Sequence, residues 1–248
     1  AVHLTKRCPG KSFAIVETRE RLGGTWDLFK YPGIRSDSDM YTLGYNFKPW
    51  TARRAIADAP SILTYLHETV DEYDLKDQIR FGQKVINASW SSEEALWTVS
   101  LQHGDGSLSS VKCNFLHMCS GYYSYDEGHN PDFPGKADFA GPIVHPQFWP
   151  DDLDYAGKKV VVIGSGATAV TLVPSMAATA EHVTMLQRSP TYIVSRPGED
   201  KWALRLRKFL PAKLAYLLTR WKNVLMGIFM FNLARKKPDG FKQRLLEM

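Results

Sequence analysis

Gly164, Gly166 and Ala169 stand in the spacing G-x-G-x-x-A, directly after the apolar run KVVVI at residues 159–163. Residues this small let a backbone approach a bulky anion. A helix that starts there adds free N–H groups and the positive end of its dipole, so the chemistry is pyrophosphate binding. Glycine-rich turns are common, and it is the position between a strand and a helix that gives this one weight. The plain alternative is a packing turn in some other α/β protein. The next apolar run, residues 182–187, ends in Arg188-Ser189-Pro190 without a carboxylate. An Asp or Glu there would bind a ribose 2′-hydroxyl, whereas Arg188 can hold a 2′-phosphate through a charge-assisted pair, unless it is simply solvated. This unit favours NADP over NAD. Near the start of the chain Glu17 closes the run SFAIV at residues 12–16. A carboxylate at that place binds a 2′-hydroxyl and repels a 2′-phosphate. By itself Glu17 reads as a solvated turn residue, and Gly23-Gly24-Thr25-Trp26 just after it lifts the functional reading. Opposite charges at two strand tips suggest two different dinucleotides, FAD first and NADP second.

These motifs require elements to hold them. Residues 1–6 read as the end of a helix stopped by Cys8-Pro9-Gly10, since Pro cannot continue a helix and Gly suits its end. Residues 12–16 form a short buried-strand run. A helix feeding a parallel strand needs an earlier strand beside it, so a strand and its turn are expected before Ala1. Residues 23–50 are rich in Gly, Pro, Asp, Ser and aromatic side chains. They are too long and too apolar for an ordinary surface loop, and such loops are usually functional. Residues 60–75 fit a helix with Ile62, Tyr65, Leu66 and Val70 on one side. Strand-like segments follow at 79–90, 96–101 and 111–118, with His103-Gly104-Asp105-Gly106 as a hairpin turn. Residues 119–150 are a connector punctuated by Gly and Pro. A buried strand at 159–163, the glycine turn, a helix over 167–178 containing Pro174 and a strand over 182–187 make a complete β-turn-α-β unit. From Trp202 the pattern is helical, with Leu214, Leu217, Leu218, Trp221, Leu225 and Ile228 at three- and four-residue steps.

Composition narrows the function classes. The 248 residues are 44% hydrophobic and 23% charged, which is ordinary for a folded chain of one or two domains. No run of 18 uncharged apolar residues reads as a membrane span, and no charged-then-apolar start reads as a secretion signal. Cys8, Cys113 and Cys119 make no C-x-x-C pair, which disfavours a disulfide scaffold or a cysteine zinc site, and no metal site is expected. The net charge of +5 is uneven: residues 197–248 carry 12 basic and 4 acidic side chains, and the remainder is slightly acidic. No nucleic-acid reading motif accompanies that basic segment, so nucleic-acid binding is not expected. Its mix of Trp, Lys and Arg fits a membrane-surface helix, with a solvated helical excursion as the favoured alternative.

The stretch Phe139-x-Gly141-x-x-x-His145-x-x-x-Trp149-Pro150 matches the fingerprint FxGxxxHxxxW[PD]. On it the chain resembles the type I Baeyer–Villiger monooxygenases, class B flavoprotein monooxygenases. GGTWDLFKYPGIRSDSDM, PDFPG, HPQFWP, GSGATA and QRSPTYI extend the likeness over nearly the whole chain, which is most similar to the ethionamide-activating group of mycobacteria. Flavin-dependent N- and S-oxidising relatives usually carry Tyr or Phe where Trp149 stands.

The resemblance implies an α/β fold of two dinucleotide-binding, Rossmann-like domains. The NADP domain is inserted in the FAD domain, and a helical excursion lies at the C-terminal end. It would divide the chain into an FAD domain at 1–140, a fingerprint linker at 141–157, the first half of an NADP domain at 158–200 and a helical insertion at 201–248. It also implies roles. Glu17 would bind the FAD ribose, and Thr25, Trp26, Asp27 and Leu28 would line the flavin side. Val85 would offer backbone contacts to the adenine part. Gly121 would lie near FAD, in a turn that reads Cys119-Ser120-Gly121 where the family has an Ala-Thr-Gly-like sequence. Arg35, Ser36 and Asp37 would sit where flavin and nicotinamide meet. Gly164, Ser165, Gly166, Ala167, Thr168, Ala169 and Val170 would hold the NADP pyrophosphate, and Arg188 with Ser189 its 2′-phosphate. His145 and Trp149 would couple the domains and not transfer protons.

The implied activity begins with hydride passing from NADPH to FAD. Reduced flavin and O2 form a flavin C4a-peroxide, which attacks a ketone carbonyl, and migration of a carbon substituent gives an ester or lactone. No catalytic residue is assigned within this stretch. The family's catalytic Arg, which Asp37 would support, is expected beyond Met248, and the 248 residues alone are expected to be inactive and to bind FAD poorly. Oxidation of sulfur or nitrogen in thioamides, sulfides or amines is the near alternative. A non-catalytic, membrane-associated NADP-binding module is the alternative from another class. The expected partners are a ketone or sulfide and O2, in the cytoplasm, with peripheral membrane contact through residues 201–248 as the other option.

Overall fold

The computed structural model describes residues 1–189, 192–195 and 197–247. Pro190 of the strand-end turn and Met248 lie outside them. The first part of the chain runs α1 (Val2–Arg7), β1 (Ile15–Val16), α2 (Thr25–Leu28), α3 (Met40–Leu43), α4 (Ala59–Glu72) and β2 (Ile79–Arg80). Next come β3 (Gln83–Ser91), β4 (Leu96–His103), β5 (Leu108–Cys113), β6 (Lys159–Ile163), α5 (Ala167–Met176) and β7 (His182–Leu186). Helices α6 (Lys201–Phe209), α7 (Ala212–Lys236) and α8 (Pro238–Leu246) close the chain. These elements form two compact units, Ala1–Phe29 with Leu63–Gln147, and Lys30–Ile62 with Phe148–Met248.

In the first unit β1 pairs in parallel with β2, Ile15 opposite Ile79 and Val16 opposite Arg80. β3, β4 and β5 make an antiparallel sheet in that order. The expected hairpin turn joins β4 to β5: the His103 N–H donates to the Ser107 carbonyl, and the Asp105 carboxylate accepts from the Ser107 N–H. Alternation along β4 buries Val99 and Leu101 on one face. Helix α4 buries Ile62, Tyr65 and Thr69 at three- and four-residue spacing, as its apolar period requires.

Several boundaries differ from the sequence expectation, each because pairing partners run out. The 12–16 run yields only two strand residues, since β2 is itself two residues long. The 79–90 segment is broken at Gly82, whose φ of +64° turns the chain between β2 and β3. The 111–118 segment ends at Cys113, which faces Trp97 next to the first residue of β4. Ile15 is exposed, so the expected buried strand is covered on one side only.

In the second unit β6 and β7 pair in parallel from Lys159 opposite His182 to Ile163 opposite Leu186, and α5 crosses over between them. Ala169, Leu172 and Met176 of α5 are buried. Val160 and Val162 are half-buried, while Val161, Ile163 and Leu186 are more than half exposed. A crossover helix covers one face of its strands, and successive side chains alternate between faces, so β6 too is buried on one side only.

The apolar stripe expected on α7 is not the face that α7 buries. Leu214, Leu218, Trp221, Leu225 and Ile228 are exposed, and Ala215, Tyr216 and Thr219 are buried instead. Hydrogen bonds select that side. Arg220 donates to the carbonyls of Tyr41 and Gly44 at 3.0 and 2.8 Å, the Tyr216 hydroxyl also donates to Gly44, and Asn223 donates to the Asp39 carboxylate. Asp39 in turn caps α3 by accepting from the Thr42 N–H. Among the described residues, no helix is long and apolar enough to cross a membrane and no cluster of side chains could hold a metal ion.

Candidate functional site

The glycine turn of the second unit lies where strand, turn and helix meet. Gly164 has a φ of +127°, a conformation that side chains disfavour, and its N–H donates to the Leu186 carbonyl at 2.9 Å, which ties the turn to the end of β7. Gly166 is the N-cap of α5, and no side chain caps the first-turn N–H groups of Ala167, Thr168 and Ala169. A Cβ on Gly164 or Gly166 would find no atom within 4 Å, so open space lies over the turn. Ala169, by contrast, is buried, and its small side chain lets α5 lie close to the sheet. Ser165 and Val170 are half-buried, and Arg188 and Ser189 are exposed just past β7. Open small residues, uncapped N–H donors and an exposed guanidinium at the strand end fit the pyrophosphate and 2′-phosphate of an NADP-type dinucleotide.

The 31–37 loop of the same unit lies against α5. Tyr31 is 8% exposed and lies near Thr168. Burial, with a smaller contribution from the Asp37 carboxylate, pushes the phenol up, while Thr168 pulls it down, and Tyr31 remains a neutral phenol. A Cβ on Gly33 would lie 2.9 Å from the Ser175 Cβ, nearer still to its hydroxyl, and 3.3 Å from the Thr171 carbonyl. The backbone of the loop therefore touches α5 directly. Ser36 is buried: its N–H donates to the Ala57 carbonyl at 2.8 Å, and its hydroxyl accepts from the Ala57 N–H at 3.1 Å. Arg35 and Asp37 on either side are exposed. Ser36 thus shapes the loop, and its neighbours are the side chains free to reach a ligand.

In the first unit Glu17 follows β1, and its carboxylate accepts from the Arg19 N–H at 2.9 Å. Arg19 and Arg21 both pair with Asp27, leaving that carboxylate little reach towards a ligand. The Arg19 guanidinium also lies 5.6 Å from the centre of the Tyr125 ring. Burial raises the Tyr125 phenol, Glu17 adds to that rise and Arg19 opposes it. Thr25, Trp26, Asp27 and Leu28 form the single turn α2, which starts at Gly24. Gly24 and Gly121 have φ of +51° and +74°; a Cβ on Gly121 would meet nothing within 4 Å, and one on Gly24 would lie 4.0 Å from the Tyr125 hydroxyl. Val85 is exposed on β3, where the register with β4 slips between Val85 and Asn87 and frees backbone groups. A carboxylate at a strand tip and open glycine turns suit a dinucleotide bearing a ribose 2′-hydroxyl.

The fingerprint residues fall into two groups, because the boundary between the units passes between Gln147 and Phe148. On the first side, the Phe139 ring folds over Gly141, where a Cβ would be 2.8 Å from two ring carbons. The His145 ring packs over Gly128, and a Cβ there would be 2.7 Å from Nε2 and nearer to Cε1 and Nδ1. The Gln147 N–H donates to His145 Nδ1 at 3.2 Å, which leaves the ring proton on Nε2. Buried Gln147 also donates its side-chain amide to the Ser124 carbonyl. On the second side the Trp149 ring meets Tyr155 edge-on at 6.3 Å, and Pro150 is half-buried. Gly128 and Gln147 do not stand out in the sequence as site residues. Their partners lie 17 and 23 positions away, and no local pattern signals such contacts.

A sequence-family description of flavin-binding monooxygenase-like proteins matches residues 55–232. The chain is 57% identical over its whole length to the FAD-containing monooxygenase EthA of Mycobacterium tuberculosis, and it covers 51% of that protein. It is 51% identical to the probable FAD-binding monooxygenase AlmA of Acinetobacter baylyi, again over its whole length and 50% of the relative. The chain thus spans about half the length of the curated relatives it matches. Among solved structures, an oxidized steroid monooxygenase bound to NADP superposes with a TM-score of 0.71 at 31% identity, covering 87% of this chain and 41% of the other. A cyclohexanone monooxygenase from Rhodococcus sp. Phi1 bound to NADP+ gives a TM-score of 0.64 at 31% identity, covering 78% and 36%.

Proposed function

The chain belongs to the flavin-binding monooxygenase-like family, and from that premise we propose that it carries cofactor-handling machinery of an FAD- and NADPH-dependent monooxygenase of Baeyer–Villiger type. FAD, when bound, would supply the redox chemistry that couples NADPH and O2 to insertion of one oxygen atom into a ketone to give an ester or lactone, the other oxygen leaving as water. The chain's own residues bind, orient and exclude water. In this reading Glu17, the α2 turn from Thr25 to Leu28, Val85, Asp37 and Gly121 hold FAD. The turn from Gly164 to Val170 holds the pyrophosphate of NADPH, Arg188 and Ser189 its 2′-phosphate, and Arg35 with Asp37 faces the nicotinamide side. Ser36 contributes by fixing the backbone between them.

The fingerprint carries the ketone reading. Phe139 and His145 are each seated on a glycine, and Trp149 stands where nitrogen- and sulfur-oxidising relatives usually carry Tyr or Phe. A solved neighbour named as a cyclohexanone monooxygenase supports a ketone substrate. Residues 201–248 are read as a helical arm of the protein's own fold. Co-sedimentation with anionic vesicles that is lost in high salt would replace that by membrane docking.

The test supplies the full-length protein that contains these residues, loaded with flavin, with NADPH, O2 and a panel of ketones and sulfides, identifies products by mass and repeats each reaction with NADH. Esters or lactones formed with NADPH, and far less with NADH, are the expected result. Sulfoxides alone would move the assignment to heteroatom oxidation. Absence of any NADPH-dependent flavin reduction would overturn the enzyme reading in favour of a non-catalytic NADP-binding module.

A further inference from the structure

Tyr125 carries a half-buried phenol that the first unit fixes in place and leaves unbonded. Three contacts fix it. The Arg19 guanidinium lies over its ring, 5.6 Å from the centre. The carbonyl of Ser124, one position before it, accepts from the Gln147 side-chain amide. Asp126, one position after it, pairs with Lys84 at 2.8 Å, next to Val85 on β3. Among the described residues the Tyr125 hydroxyl has no hydrogen-bond partner. It lies 4.0 Å from where a Cβ on Gly24 would stand. Arg19 also donates from its guanidinium to the Gly24 carbonyl at 3.3 Å, and from its N–H to the Glu17 carboxylate at 2.9 Å. One arginine thus gathers the strand-tip carboxylate, the glycine turn and the phenol. Burial raises that phenol, Glu17 adds to the rise and Arg19 opposes it, so the hydroxyl keeps its proton and can donate. A donor held without an acceptor is a cost that a ligand oxygen can offset.

We propose that Tyr125 is a further FAD-binding residue: its hydroxyl, held over the Gly24 turn by Arg19, donates to an oxygen of the ribose–pyrophosphate part of FAD. This rests on the reading of Glu17 and the following glycine turn as the FAD site. Glu17 marks the ribose end in that reading, and Gly24 starts the α2 turn on the flavin side. A donor gathered with both meets the oxygen-rich middle of the cofactor. The fingerprint gains a task on the FAD side as well. His145 over Gly128 and Gln147 on Ser124 hold the stretch that bears Tyr125.

The test uses the full-length protein that contains these residues, stripped of flavin and titrated with FAD, with binding read from the change in flavin fluorescence. Tyr125→Phe removes one hydroxyl and keeps the ring under Arg19. It is expected to raise the FAD dissociation constant about three- to tenfold, the loss of one hydrogen bond. The flavin-free melting temperature should not change, because no protein partner is lost. ADP, titrated as a competitor of FAD, should weaken in the same proportion, since it carries the ribose and pyrophosphate but no flavin. Glu17→Gln is the control for the site and should weaken FAD as well. Undiminished FAD affinity in Tyr125→Phe, with Glu17→Gln still weakening FAD, overturns the inference alone. Weakened FAD with undiminished ADP also overturns it, by moving the hydroxyl to the flavin. A lower flavin-free melting temperature with unchanged FAD affinity overturns it too, and leaves Tyr125 a packing residue. If both substitutions leave FAD affinity unchanged, the FAD reading of the strand tip fails, and the inference with it.

Discussion

Gly128→Ala offers a direct test of how the fingerprint histidine is held. The backbone at Gly128 does not need a positive φ, so the substitution is strained only by what its methyl group meets. That group would lie 2.7 Å from His145 Nε2 and nearer to Cε1 and Nδ1. Three ring atoms inside contact distance cannot be relieved by a small rotation, because the ring is held from the other side by the Gln147 N–H. Either residues 124–128 shift or His145 leaves its seat. Overpacking of this kind costs about 1–3 kcal/mol, and loss of the Nδ1 hydrogen bond about 0.5–1.5 kcal/mol more. A total of roughly 2–4 kcal/mol corresponds to a melting temperature lower by roughly 4–16 °C. The assay is thermal unfolding of the flavin-loaded protein followed by circular dichroism, with His145→Ala and the double variant alongside. Removing the ring opens the space the methyl needs, so Gly128→Ala should be nearly neutral on the His145→Ala background. A single variant that melts within about 1 °C of the parent refutes the contact. A loss that persists undiminished in the double variant refutes the assignment of that contact to His145.

Arg188→Ala should raise the dissociation constant for NADPH by about 10–150-fold, the range for a charge-assisted hydrogen bond, and leave NADH unchanged; direct titration of both nucleotides checks this. Arg220→Met removes three hydrogen bonds, all from Nη1, to the Tyr41 and Gly44 carbonyls and the Tyr216 hydroxyl, without adding a polar group. It should cost roughly 2–4 kcal/mol and loosen α7 from the Tyr41–Gly44 segment, read by limited proteolysis. Asp200 caps α6 through the Trp202 and Ala203 N–H groups and pairs with Lys222 at 2.6 Å. Burial acts to raise its carboxyl, but Lys222 and the two N–H donors outweigh it and hold the group below the ordinary range. A depressed carboxyl stabilises the fold above its unfolded pKa of about 3.9, and that stability is lost as the pH falls through the lower, folded value. Asp200→Asn should therefore lower the melting temperature at pH 7 while matching the parent at the acid end, in a pH series of unfolding scans.

Features written in neighbouring residues were legible in the sequence. The β6-turn-α5-β7 unit follows from an apolar run, three small residues and a second apolar run, because strand, close turn and helix each impose a local residue requirement. The hairpin at 103–106 is legible for the same reason, since its Gly and Asp satisfy the turn's own geometry. What the sequence left open depends on partners far away along the chain. Helix α7 has a textured apolar stripe at helical spacing, yet it buries the side bearing Tyr216, Thr219 and Arg220. That choice was made by carbonyls at Tyr41 and Gly44, more than 170 positions earlier. Apolar periodicity reports which side can be buried in some environment, and hydrogen-bond geometry decides which side is buried here. The same distinction separates residues of one loop: Arg35, Ser36 and Asp37 are adjacent and equally polar in the sequence, but pairing with Ala57 turns Ser36 inward and leaves its neighbours outside.

The fingerprint falls between these cases, and its spacing has a physical meaning that letters alone do not convey. Gly141 stands two residues after Phe139, so the ring can fold back over its own chain, and any side chain at Gly141 would push it away. Gln147 stands two residues after His145, so its N–H can reach back to Nδ1. Both are contacts within a single short segment, which is why they recur as a spacing. The surface that completes the histidine's seat is Gly128, in a separate stretch of connector, and the Gln147 amide reaches Ser124 in that same stretch. Two contacts from one side of the fingerprint thus converge on residues 124–128, between the Gly121 turn and the boundary at Gln147 where the chain passes into the second unit. A change at Gly128 would therefore be felt at His145, although the two are 17 positions apart in the chain.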